Sequence, residues 1–188
     1  NKINKNFDLE NISEETQHLA EANMRSRMRM MMLYHFAGLH GYIVIGTGKK
    51  VEDFGVGFYT KYGDGGVDIS PIADLYKTEV RALGEYMGVS GEILNIAPTD
   101  GLWDDGRTDE DQLGATYEEL EWAMEMLDEH HLSPANIFED IIKCLEDANV
   151  SLNDKQKNVI KILNSRNRTN QHKILPIPMF YLKVAHIK

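Results

Sequence analysis

One short run limits what this chain can fold into. Residues 42–46, "YIVIG", form an apolar, β-branched stretch ending in glycine, and nothing as convincing appears before the C-terminal tail. Such a run reads as a buried strand. A buried parallel strand needs neighbours on its edges, yet the surrounding sequence supplies helical patterns. The chain therefore reads as the second, helix-rich part of an α/β domain whose other strands are expected upstream of Asn1. Its 188 residues read as one domain, incomplete at the N-terminal side.

The helices are marked by caps and periodicity. Ser13 is the N-cap of a first helix running to about Gly38, with Glu14 and Glu15 in its first turn. Met24, Met28, Met31 and His35 fall on one face of it, a stripe that suits a core or a dimer interface. Further helices are expected over 73–87 and 116–130, the latter with Leu120, Met124 and Leu127 on one side. Another is expected from 133, with Ser133 as N-cap and Pro134 at N1. A last one, from 153 to about 168, carries Val159, Ile160 and Leu163. The segment "APTDGLWDDGRTDEDQLG" reads as a long acidic loop, and the tail from 173 as apolar and proline-broken.

A net charge of −10 argues against a general nucleic-acid or anionic-membrane binder, but leaves room for a small anion at a local basic cluster. The single cysteine, Cys144, rules out an intrachain disulfide and fits a reducing, cytoplasmic setting. It sits mid-helix and reads as a buried thiol.

Two glycine-rich stretches carry possible chemistry. Gly46-Thr47-Gly48 stands at the C-terminal end of the expected strand, where open α/β sheets bind ligands, and Glu52-Asp53 follows. A carboxylate there can hold Mg²⁺ beside a polyphosphate, or simply be solvated. In "KYGDGGVDISP", Asp64-Gly65-Gly66 is a turn signal, and glycine-rich backbone can also cradle an anion. Lys61 precedes that turn, Asp68 follows it, and Lys77 lies nine residues beyond. On the first helix Arg25 and Arg29 share a face and read as solvated. Arg27 points elsewhere, on the stripe of Asn23 and Tyr34. Arg166, Arg168, His172 and Lys173 gather in "NSRNRTNQHK". A helix C-terminus explains the first two, whereas His172-Lys173 reads as lying beyond the helix end.

Taken in order, "ANMRSRMRMMMLY", "VIGTGKKVEDFGVGFYTKYGDGGVDISPIADLYKTEV", "APTDGLW", "TDEDQLGATYEEL" and "HK" resemble the bacterial NAD⁺ synthetases of the shorter, ammonia-using kind. The resemblance is close over 21–121 and looser through the tail. It implies a Rossmann-like α/β fold of the ATP pyrophosphatase type, a three-layer parallel sheet flanked by helices, and a homodimer. The reaction it implies is amidation of deamido-NAD⁺. ATP adenylates the nicotinate carboxylate, ammonia displaces AMP, and NAD⁺ and pyrophosphate are the other products. By the same resemblance Thr47, Lys77 and Thr99 bind ATP, and Glu52 holds Mg²⁺. Arg27, Lys61, Asp68, His172 and Lys173 bind deamido-NAD⁺. Lys77 stabilises charge on the phosphates, and Asp68 orients ammonia.

Three departures stand out. The family's Ser-Gly-Gly-x-Asp-Ser pyrophosphate loop is not in this sequence, which leaves Glu52 as half a metal site. Lys49 stands where many members have asparagine. The stretch between Thr47 and Lys61 carries one extra residue, so counting back from Lys61 puts Asp53, not Glu52, on the metal position. The alternative to a synthetase is a non-catalytic, dimerising, dinucleotide-binding fragment.

Overall fold

The first helix starts where its cap requires. In a computed structural model, which describes residues 12–99, 101–103 and 105–179, α1 spans Glu14–His40. The Ser13 side chain accepts from the Thr16 N–H, and Gly41 closes the helix in the left-handed region. The side of α1 that the chain buries is small and polar: Ala22, Ser26 and Ala37. The methionine stripe faces away, with Met28 56% and Met31 64% exposed, so this chain's own core does not take it.

The run 42–46 is extended but does not build a ladder. Its one β contact is a parallel bridge between Ile45 and Ile69, supported by Gly46 N–H to Ile69 O and Asp68 N–H to Val44 O. Val44 is buried, while Tyr42, Ile43 and Ile45 are exposed. The expectation of a buried strand is corrected to this extent: burial needs a pairing strand on each edge and a layer on each face. Among the described residues only 68–69 pairs with it.

After Gly48 the chain enters a π-helical turn, Val51–Val56, in which the Gly57 N–H reaches back five residues to Glu52 O. A π-turn encloses one residue more than an α-turn. Gly57 ends the turn at φ 62°, with the Asn170 Cβ so near that any side chain would collide.

Helix α2 spans Lys77–Tyr86, four residues shorter at its start than expected. Residues 71–75 form turns instead, and the Leu75 carbonyl is taken by the Lys50 N–H. Short α3 covers Gly91–Leu94. Part of the expected acidic loop is helical: α4, Asp109–Leu113, is opened by a capping box of Thr108 and Asp111. Helix α5, Tyr117–Glu129, buries Leu120, Met124 and Leu127 as their spacing predicts.

Helix α6 spans Phe138–Asp147 and begins after the expected N-cap Ser133. The Asn164 side chain donates to the carbonyls of Pro134 and Asn136, which ties the segment before α6 to α7. Cys144 is exposed on α6, not buried as expected; the core face of that helix is Ile141 and Leu145. Helix α7 spans Asp154–Ile174 from the N-cap Asn153. It extends past the expected end, so His172 and Lys173 lie in its last turn.

The core joins α5, α6 and α7 to the π-turn. Val51 and Val56 from the turn pack with Leu113, Tyr117, Leu120, Leu127, Ile141, Leu145, Ile160 and Leu163. Among the described residues no helix is long and apolar enough to cross a membrane.

Candidate functional site

Two groups of polar side chains flank the π-turn. The first surrounds Glu52. Its Oε1 accepts from the Tyr117 hydroxyl at 2.7 Å and from Lys77 Nζ at 3.3 Å. Its Oε2 meets Lys49 Nζ at 2.8 Å. The Lys77 ammonium also lies 4.6 Å from the centre of the Tyr117 ring, a cation–π arrangement. Burial draws the Lys77 pKa down, and Glu52 opposes it. Burial, followed by the Glu52 charge, pushes the Tyr117 hydroxyl far up, so it stays a proton donor.

Asp53, next to Glu52, turns to another side. Its carboxylate packs over Gly48 so closely that a Cβ there would overlap it. Burial, then Glu52 and Asp64, push Asp53 up to about 6. The alternatives Glu52 and Asp53 thus occupy different surroundings. Glu52 is ringed by donors, and Asp53 is a carboxylate among carboxylates.

The second group lines a cavity of about 850 Å³ between α1, the segment 57–64, the loop at 102–107 and α7. Arg27, Lys61, His172 and Lys173, four of the five residues expected to meet the dinucleotide, are on its wall. Their donors go to backbone carbonyls. Arg27 Nε reaches Lys61 O at 3.2 Å, and Lys61 Nζ reaches His172 O. Lys173 Nζ donates to Gly57 O at 2.9 Å and Tyr59 O at 2.8 Å. Arg166, also on the wall, donates to the carbonyls of Gln112 and Leu113. Among the described residues none of these four cations forms an ion pair. Burial lowers the pKa of Lys173 and of Arg166.

The remaining expected residues are not on the cavity wall. Asp68 uses one oxygen on the Val44 N–H at 2.7 Å and the other on the Tyr34 hydroxyl at 3.1 Å, tying the glycine loop to the extended run and to α1. Thr47 is exposed beside Gly46. The Thr99 hydroxyl stays local, accepting from the Gly101 N–H at 3.2 Å. Arg25, expected to be solvated, is half-buried and donates to Leu102 O at 2.5 Å, whereas Arg29 is exposed as expected and makes only a long contact to Gly101 O at 3.4 Å.

Several residues of the site were not singled out by the sequence. Tyr117 lies within the quoted stretch "TDEDQLGATYEEL" but reads there as an ordinary first-turn aromatic. Asn167 donates to the carbonyls of Phe54 and Gly55, and Asn170 to that of Val56, so that α7 holds the π-turn. The signal that could have found them is the spacing 164, 167, 170, three asparagines on one helical face where their propensity is poor.

The family model "NAD synthase" matches residues 1–175. The chain belongs to the NAD synthase family. It is 54% identical over 101 residues to an NH(3)-dependent NAD(+) synthetase of Methanococcoides burtonii, covering 54% of this chain and 38% of that one. It is 42% identical over 180 residues to the enzyme of that name from Sulfurisphaera tokodaii, covering 96% of this chain and 58% of the relative. The curated relatives are mostly archaeal, whereas the sequence suggested the bacterial enzymes. The structure of an NMN synthetase from Francisella tularensis superposes with a TM-score of 0.64 at 32% identity, over 87% of this chain and 57% of that one. The chain spans about 38–58% of the length of these two curated relatives. The structural likeness agrees with the expected α/β class, of which the described residues supply the helix-rich part.

Proposed function

We propose that this chain contributes to an ammonia-dependent NAD⁺ synthetase, a ligase that amidates deamido-NAD⁺ through an adenylated intermediate at the expense of ATP. The observation that carries this reading is the cavity. In a protein of net charge −10, Arg27, Lys61, Arg166 and Lys173 converge on one space and are held by neutral carbonyls. Among the described residues none of the four is in a direct ion pair, although Glu15, Asp64 and Asp111 share the wall, and the cations outnumber those carboxylates, which suits an anionic ligand such as a dinucleotide's two phosphates. Tyr59 and Trp103 on the same wall offer faces on which a base or a pyridine ring can stack.

The Glu52 group suits the ATP end. Lys77 would meet the phosphates and stabilise the charge that builds up as pyrophosphate leaves, with Thr47 and Thr99 as further ATP contacts. Hard carboxylate oxygens fit Mg²⁺, which takes one or two carboxylates and completes its shell with phosphates and water. Among the described residues no three acidic or histidine side chains stand close enough to hold an ion by themselves. Glu52 is the ligand we favour, and Mg²⁺ bound there would neutralise phosphate charge. Asp68 would orient ammonia with the lone pairs its two hydrogen bonds leave. The exposed methionine face of α1 supports a homodimer. A cytoplasmic location goes with the single cysteine.

The test is to incubate the protein with deamido-NAD⁺, ATP, Mg²⁺ and ammonium and to follow NAD⁺ and AMP. Equimolar products are expected. Binding of deamido-NAD⁺ without product would favour the non-catalytic fragment. The likeness to an NMN synthetase makes the nicotinate mononucleotide the second substrate to try. Faster turnover of the mononucleotide would move the assignment to that substrate.

A further inference from the structure

We propose that the Tyr117 hydroxyl is a positioning group for ATP: it fixes the Glu52 carboxylate and, through it, sets the Lys77 ammonium toward the phosphates. The identity of the ligand rests on the functional reading above. The geometry of the positioning group does not.

Tyr117 is the first residue of α5 and is 1% exposed. Its backbone is fixed on both sides, by the Thr116 cap and by Glu110, whose carboxylate accepts the Tyr117 N–H at 3.0 Å. The hydroxyl is thus delivered to one point. There a single phenolic hydrogen serves two carboxylates, Glu52 Oε1 at 2.7 Å and Asp109 Oδ2 at 3.2 Å. The shorter contact sets the orientation of Glu52.

Lys77 shares that same Oε1 and lies over the Tyr117 ring, so ring and hydroxyl act on one ammonium by two routes. Without the hydroxyl, Glu52 would be held only by Lys49 and Lys77, two flexible cations, and could swing toward either. The ring packs in the core among Leu113, Leu120 and Val51. A phenylalanine would fill that space equally well, so the oxygen is present for its polar contacts. The sequence around it, "GATYEEL", gives a capping box and no hint of this role.

The experiment compares wild type with Tyr117→Phe, which keeps the ring and removes one oxygen. ATP affinity is measured by calorimetry and by KM, in parallel with deamido-NAD⁺ affinity. The expected result is about 10- to 100-fold weaker ATP binding, the range for a lost hydrogen bond to a charged partner. Affinity for deamido-NAD⁺ should hold within about twofold, because that cavity does not include Tyr117. A double-mutant cycle completes the test: in a Glu52→Gln background, Tyr117→Phe should cost ATP less than about twofold more.

Unchanged ATP binding, equal losses for both ligands, or a full loss persisting in the Glu52→Gln background would overturn the proposal. Should Tyr117→Phe fail to fold, Glu52→Gln takes its place: ATP binding should weaken at least about tenfold with deamido-NAD⁺ affinity held within about twofold, and unchanged ATP binding would overturn the proposal. Wild-type protein that binds neither ATP nor deamido-NAD⁺ would instead overturn the functional reading, and this inference with it.

Discussion

The two sides of the π-turn hold their cations in opposite ways. Around Glu52, lysines 49 and 77 share one carboxylate in direct ion pairs, and Asp53 and Asp109 add negative charge beside them. In the cavity, Arg27, Lys61, Arg166 and Lys173 are held by backbone carbonyls, which orient a cation without a direct ion pair, and the wall's carboxylates, Glu15, Asp64 and Asp111, are fewer than its cations. The first arrangement fixes geometry, and the second stores field. A site that must aim one ammonium at a reacting phosphate gains from the first. A site that must draw in an anionic dinucleotide from solution gains from the second.

Glu52→Gln should break the comparison most severely. It leaves two half-buried lysines without their shared ion-pair partner. We expect a fall in kcat of at least about 100-fold with the KM for deamido-NAD⁺ little changed, read from steady-state kinetics over a Mg²⁺ titration. If the mutant keeps normal Mg²⁺ dependence while Asp53→Asn loses it, the metal belongs to Asp53.

Gly57→Ala strikes the joint between the two sides. The new Cβ would meet Asn170 at a backbone angle alanine resists. A loss of about 2–3 kcal/mol is expected, seen as a drop in Tm of roughly 5–10 °C, with both substrates bound more weakly. A drop confined to one substrate would show that the sides are independent.

Lys173→Met sharpens the second half. It removes one of the cavity's cations and keeps the stem, and should raise the KM for deamido-NAD⁺ about tenfold at low salt, less at high salt, with the ATP KM unaffected. An effect on ATP alone would assign the cavity to the wrong ligand.

The smallest effect is on stability against pH. Asp53 is raised to about 6 in the fold, from an ordinary 3.8. Between those values the folded state holds the proton more tightly than the unfolded one, so stability falls as pH rises from about 4 to 6. Asp53→Asn removes that cost. It should raise Tm by a few degrees at pH 7.5 in metal-free buffer, about 1 kcal/mol after allowing for solvent screening, and change nothing near pH 3.5. A gain of equal size at both pH values would place the cause in packing.

Much of this molecule was legible in the sequence because its signals are local. Ser13, the acidic first turn and the 3.6-residue spacing of Leu120, Met124 and Leu127 act within one or two helical turns, and the helices formed as those signals require. The family was legible too, because its glycine-rich motif is long. Errors came where a partner far along the chain intervened. Ser133 does not cap α6, and the segment after it is instead held to α7 by Asn164, some thirty residues away, which donates to the carbonyls of Pro134 and Asn136. Arg25 is not solvated because Leu102 lies within its reach.

The sequence by itself determined the helices, the family and the stock of basic residues that a dinucleotide site would need. Only the tertiary structure decided which of those residues share a wall, that Asp68 faces the extended run and not the cavity, and that Glu52 and Asp53 point to different sides of one π-turn. The physical reason is the length of the cationic side chains. A lysine or arginine can reach any acceptor within several ångströms of its stem. Here the acceptors chosen are carbonyls up to 116 residues away in sequence, which no local pattern encodes.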